Sequence, residues 1–271
     1  MLRDYESVED VLAQPSFITN EVPYNLLHLI ARSDEAVRVS SPRSELLLAQ
    51  TAGNHAWLWM SDEISQDERA VRLQQLADHI KYMDLPGVTG APSVAEPFAA
   101  AYARMKGLDY KVHMRMEAYH CPRVMKLEEA ADGELKEAEP SDIPLIAEFL
   151  SGFARDALGL ESEPSAELQH AEQAVARGGL NLWMSGGNVV SMANLAHRSP
   201  RHGRINMVYT PPALRKQGHA SALVASLCEE LLSEGLTPML YADSSNPVSN
   251  KVYQEIGFIA AGNIVNLKFQ P

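Results

Sequence analysis

Cysteine is nearly missing from this 271-residue chain: there are two, Cys121 and Cys228, at a separation that matches no metal-ligand spacing. That excludes a disulfide framework and a zinc ribbon, and reads as two reduced interior thiols in a cytoplasmic protein with no structural metal. Long apolar runs are missing too. Stretches such as Leu46–Ala49 and Ile143–Leu150 are short or broken by polar residues, whereas a membrane span needs roughly 20 apolar residues. The first residues, Met1-Leu-Arg-Asp-Tyr-Glu6, are polar and acidic, so no secretory signal is expected. Positive charge is scarce, with 23 Lys and Arg against 35 Asp and Glu for a formal charge of −12. This balance opposes binding to nucleic acid, whose phosphates reward clustered cations, and mildly favours a cationic partner such as an amine.

What is present is ample core material, with 46% hydrophobic residues. The length suits one large domain or two of about 130 residues each. The C-terminal half alternates strands and helices. Ser141-Asp142 resembles a helix N-cap, followed by Ile143, Ile146, Leu150, Phe153 and Ala157 at helical spacing. A second helix is expected over Ser165–Arg177, then a hairpin of Leu180–Met184 and Val189–Ala196. Ile205–Tyr209, Met239–Ala242 and Ile264–Phe269 read as strands, with helices after Gly218 and over Pro247–Ile256. In that last helix Val248, Val252 and Ile256 are expected to form the buried stripe, with Ser249 and Tyr253 on an adjacent face. Strands separated by helices predict an α/β fold, a mixed α+β sheet with helices on both faces.

The N-terminal half echoes the C-terminal half. Leu46–Asn54 aligns without gaps on Leu180–Asn188, an offset of 134 (188 minus 54). The helix beginning at Ala70 aligns with the one at Ala220, and Lys106-Gly-Leu108 with Ile256-Gly-Phe258, both at an offset of 150 (220 minus 70, 257 minus 107). The change of offset implies that the first copy lacks about one strand. Lys126–Leu135, poor in apolar residues, is the natural linker, which gives domains over residues 1–126 and 134–271. At the offset of 150, Arg215, Gln217, Gly218 and Tyr253 fall on Ser65, Asp67, Glu68 and Ala103. Asp67 and Glu68, carboxylates at the places of Gln217 and Gly218, would repel phosphate, so the first copy is expected to be a scaffold.

The segment Val208-Tyr-Thr-Pro-Pro-Ala-Leu-Arg-Lys-Gln-Gly-His-Ala220 is an apolar strand running through a glycine-bearing turn into a helix. Such a turn aims backbone N–H groups and the positive end of the helix dipole at one spot. Arg215-Lys-Gln-Gly218-His-Ala220, with Ser244–Phe258 after it, resembles the GNAT acetyltransferase superfamily. Its fingerprint is R/Q-x-x-G-x-G/A, and its later motif reads N-x-x-S-x-x-x-Y-x-x-x-G-F. The likeness covers about residues 137–269; over residues 1–125 it is a faint likeness to the degenerate half of tandem members. It implies two GNAT-like domains and acetyl-CoA as co-substrate. Gly218 then admits the pyrophosphate, and Arg215 forks onto its oxygens. Lys216, Gln217, His219, Ala220 and Ser221 complete the cradle, while Met207, Val208 and Tyr209 hydrogen-bond the pantetheine arm along a V-shaped gap beside Met239–Ala242. Asn246 and Ser249 are further pantetheine contacts, or plain capping residues.

By the same resemblance Tyr253 gives its proton to the departing coenzyme A thiolate, as a phenol of ordinary pKa about 10 is able to do at pH 7. An amine of ordinary pKa about 10.4 is neutral in only about one molecule in 2500 at pH 7, so some group must take its proton. Glu148, Asp156, Asn194 and His197 sit on elements that border the expected acceptor pocket, and none stands out as the base. The expectation is an N-acyltransferase in which a small-molecule or peptide amine attacks the thioester directly in a ternary complex. A catalytically silent CoA-binding or assembly protein is the alternative, and an aminoacyl-transferring relative is disfavoured by the charge of −12. The sequence is silent on oligomeric state, with a homodimer compatible.

Overall fold

The computed structural model describes residues 2–4, 8–126 and 131–271, which divide into two compact units. The first holds residues 1–119, 241–247 and 260–271; the second holds 120–240 and 248–259.

In the first unit β1 (Arg3–Asp4) is followed by short helices α1 (Glu9–Leu12), α2 (Pro15–Thr19) and α3 (Leu26–Ile30). Then come β2 (Val37–Ser40), β3 (Leu46–Gln50) and β4 (Ala56–Met60), and β1 to β4 pair in antiparallel succession. Helix α4 (Gln66–His79) crosses to β5 (Gly87–Gly90), which runs parallel to β4, and α5 (Pro92–Lys106) leads to β6 (Asp109–His120). Strands β3 and β4 are buried along their whole length. One face packs Leu46, Leu48, Leu58 and Met60 against α4 and α5; the other packs Leu47, Trp57 and Trp59 against Phe17 and Leu27. Burial on both faces explains why these strands read as continuous apolar runs rather than alternating ones.

The second unit repeats this order. Strand β7 (Glu134–Glu137) is followed by α6 (Ile143–Leu158) and α7 (Pro164–Arg177). Antiparallel β8 (Leu180–Ser185), β9 (Asn188–Arg198) and β10 (His202–Tyr209) follow, then α8 (His219–Ser233), β11 (Thr237–Asp243) parallel to β10, α9 (Pro247–Ile256) and β12 (Ile259–Gln270). Helix α6 buries Ile146, Phe149 and Leu150 against Leu180, Leu182 and Met192.

The repeat corrects the expected alignment. Four strands precede the crossover helix in each unit, so no strand is lost from the first. The counterpart of β3 is β9, not β8; the match at an offset of 134 paired two similar apolar hairpin strands one position out of step. Nor does the polar stretch at 126–135 act only as a linker, since Glu134 and Leu135 begin β7, paired with β8; residues 127–130 lie outside those described. The last strand is longer than expected, and its part from Ala260 on belongs to the first unit, where Val265–Lys268 pair antiparallel with β5. A division at 126 and 134 therefore does not describe the packing. Near the start of α6, the Asp142 side chain does not cap that helix; it accepts from the Glu139 N–H (2.9 Å) and Lys136 Nζ (2.9 Å) at the preceding turn.

Among the described residues no helix is long and apolar enough to cross a membrane, and no three His, Cys, Asp or Glu side chains are placed to hold a metal ion. Cys121 and Cys228 are both free and buried. The fold brings them together: contact with Cys228 draws the Cys121 thiol below its ordinary pKa, and burial pushes that of Cys228 well up.

Candidate cofactor and transfer site

Strand β10 carries the first peculiarity. Its parallel pairing with β11 covers only His202–Arg204, opposite Thr237–Met239, although the strand continues to Tyr209. On its other edge the register with β9 jumps between Asn206 and Tyr209, so β10 carries an extra residue there. Met207 absorbs it with φ +53, a left-handed conformation that a side chain rarely adopts. Together, the bulge and the short pairing leave the β11-side edge of Ile205–Tyr209 without β11 partners, which is the gap expected from the sequence. Met207 and Val208 are half-buried beside it, and Tyr209 is buried.

After a short turn at Pro212–Leu214 the chain reaches the fingerprint. Lys216 (φ +61) and Gly218 (φ +79) both take left-handed conformations. Gly218 is the N-cap residue of α8, with no side chain capping the helix and no acidic residue in its first turn. The first helical bond is Ala222 N–H to the Gly218 carbonyl at 2.9 Å. Among the described residues the main-chain N–H groups of Lys216, Gln217, Gly218, His219, Ala220 and Ser221 have no acceptor. A row of unused donors on a helix dipole fits an anion such as a diphosphate. Lys216 and Gln217 are exposed, Ala220 and Ser221 half-buried, and the His219 ring is buried beneath the turn.

Arg215 departs from expectation. Its Nε donates to the Thr210 carbonyl at 2.9 Å and one terminal nitrogen to Asp156 Oδ2, while the guanidinium lies 5.7 Å from the centre of the Tyr209 ring. The side chain expected to fork onto phosphate is held within the protein.

On α9, Ser249 and Tyr253 are half-buried four residues apart. The ring of Tyr253 meets Phe258 edge-on at 5.7 Å, and its hydroxyl has no hydrogen-bond partner among the described residues. Burial pushes this phenol up to about 12. Asn246 is exposed just ahead of the helix. The expected stripe is only partly realised, since Ile256 is buried and Val252 half-buried but Val248 is 70% exposed. Only the C-terminal turns of α9 face the core, so the four-residue spacing overstated the stripe.

Of the residues weighed as base, His197 Nδ1 accepts from Arg204 Nε at 3.3 Å, Asn194 Nδ2 donates to Asn206 at 2.9 Å, and Glu148 is exposed. Burial works against the charged form of Asp156, but the hydrogen bonds and charges of Arg215 and Arg155 outweigh it and hold the carboxyl below its ordinary value. Each of the four is engaged elsewhere or turned to solvent. What sequence reading missed was the Asp156–Arg215 pair, whose members are 59 residues apart with no local signal joining them.

Residues 146–258 match the model of the acetyltransferase (GNAT) family. Solved structures of similar fold extend the likeness to both units. One is a GNAT-family acetyltransferase from Colwellia psychrerythraea, 14% identical with a TM-score of 0.63 over all of both chains. Another is a Drosophila protein, 12% identical with a TM-score of 0.65 over 100% of this chain and 98% of that one. A third, a GCN5-related N-acetyltransferase from Sphaerobacter thermophilus, is 14% identical with a TM-score of 0.62 over 100% and 96%. No curated protein matches the chain.

Proposed function

We propose that the second unit transfers an acetyl group from acetyl-CoA to a primary amine, small-molecule or peptide, by direct attack in a ternary complex. The observation that carries this reading is the row of unused N–H donors from Lys216 to Ser221 at the uncapped start of α8, beside the bulged end of β10. The donors fit a diphosphate in number and polarity, and Gly218 brings no side chain between them and it. The free edge of β10 at Met207–Tyr209 offers main-chain groups for a pantetheine amide, with Ser249 as a further polar contact. When bound, the co-substrate supplies an activated acyl thioester.

Tyr253 is the proton donor in this reading. Its hydroxyl is not spent on another protein group, and burial keeps it protonated throughout the neutral range. It is therefore free to donate toward the departing sulfur. Neither cysteine serves as a nucleophile, since both are buried and Cys228 lies in the middle of α8. Proton loss from the acceptor goes to solvent or to the acceptor's own surroundings.

Thiol release from acetyl-CoA, measured across a panel of amines, tests the proposal. Turnover with at least one amine, lost in Tyr253→Phe, is expected. Tight CoA binding with no turnover across a broad panel would instead favour a silent binding protein.

A further inference from the structure

The two elements that flank the fingerprint turn are pinned by one knot of side chains. Gly152 on α6 lies against Tyr209 so closely that a Cβ there would run into the Tyr209 hydroxyl. One turn further along the same face, Asp156 binds Arg215. Arg215 in turn holds the Thr210 carbonyl and covers the Tyr209 ring. From the other side, Ser191 Oγ donates to the Tyr209 carbonyl at 2.9 Å and shares a hydrogen bond with Thr210 Oγ1 at 2.8 Å, both buried. The end of β10 and the turn after it are thus fixed to α6 and β9 before any ligand arrives.

We propose that Asp156 is a positioning residue for the cofactor turn: it holds Arg215 as a strut, so that main-chain N–H groups, and not the Arg215 guanidinium, meet the diphosphate. The inference rests on the acetyl-CoA reading above. For Arg215 to swing onto a phosphate it must break a charge-assisted bond. It would also leave the Asp156 carboxylate with Arg155 alone as its cationic partner. Held in place, the pair pre-orders the turn and so reduces what binding must spend on ordering it. Asp156 is accordingly not the acceptor's base.

The test compares wild type, Asp156→Asn, Asp156→Glu, Arg215→Gln and the Asp156→Asn/Arg215→Gln double variant. CoA affinity is read by calorimetry, and kcat and KM are read with acetyl-CoA and with acetyl-pantetheine, which lacks the diphosphate. Asp156→Asn and Arg215→Gln are each expected to weaken CoA about three- to tenfold, with the effect in KM and kcat nearly unchanged. The double variant should be no weaker than the worse single, Asp156→Glu should recover part of the loss, and acetyl-pantetheine should be used equally by all. The proposal is overturned if Asp156→Asn leaves CoA affinity unchanged or tightens it while Arg215→Gln weakens it, because Arg215 is then a direct phosphate ligand. Additive losses in the double variant overturn it too. Should Asp156→Asn fail to fold, Arg215→Gln alone still decides between the two, since its half-exposed side chain tolerates change and a strut alters amide-exchange protection of the turn without ligand, whereas a phosphate ligand does not. Failure of the acetyl-CoA reading looks different: wild type itself binds no CoA.

Discussion

The two units start their crossover helices in opposite ways. In the first, the N-cap residue of α4 is Ser65; its Oγ accepts from the Glu68 N–H at 3.3 Å, and Asp67 and Glu68 occupy the first turn. In the second, a left-handed glycine leaves the donors unused and no acid follows. One terminus is satisfied by its own side chain and surrounded by negative charge; the other is open to an outside anion. The corresponding later helices differ in the same sense, because α9 carries Tyr253 three residues before its end, whereas α5 has Ala103 there, buried in the core. In the proposed reading the same topology makes a scaffold in one half and a cofactor site in the other.

The largest predicted effect tests the open terminus. Gly218→Glu should weaken CoA by at least about a hundredfold, because it places a carboxylate among the donors and strains a φ of +79. Glu68→Ala, at the position that the offset of 150 aligns with Gly218, should leave CoA affinity unchanged in the same calorimetric titration. A loss of affinity in Glu68→Ala would dissolve the contrast.

Next in size, Tyr253→Phe should lower kcat by about 10² with CoA affinity nearly intact. Equal turnover would remove the proton-donor role. The pH profile sharpens it. With its folded pKa pushed up to about 12 from 10, the neutral phenol is favoured by folding. Its contribution to stability is whole below pH 10 and fades as pH rises from about 10 to about 12. The alkaline limb of kcat/KM that belongs to Tyr253 should accordingly begin near 12, not 10. A limb at the ordinary phenol value, absent in Tyr253→Phe, would contradict the buried hydroxyl.

The smallest effect concerns the closed terminus. Ser65→Ala should cost about 1 kcal/mol in denaturant unfolding, since it removes the N-cap of α4, while CoA binding stays the same.

How much was legible follows from which properties are local. The helices over Ile143–Leu158 and Pro164–Arg177 announce themselves by spacing and by the glycines after them, and the Gly218 turn by its residue types. The pairing of β12 with β5 is not local, and nothing in Ala260–Pro271 names a partner 175 residues earlier (265 minus 90). Leu46–Gln50 and Leu180–Ser185 resemble each other because any hairpin strand buried on both faces reads as an apolar run, and that likeness shifted the repeat by one strand. The bulge at Met207 has no glycine to mark it. Arg215 was recognised, but its destination depended on Asp156, which only the packing of α6 against β10 brings near.

A crystal structure with coenzyme A tests the central claim most directly. The account places the diphosphate on the main-chain N–H groups of Lys216–Ser221, with the thiol directed toward the Tyr253 hydroxyl and Arg215 still on Asp156. Coenzyme bound at the start of α4, or absent from the protein at saturating concentration, would contradict it.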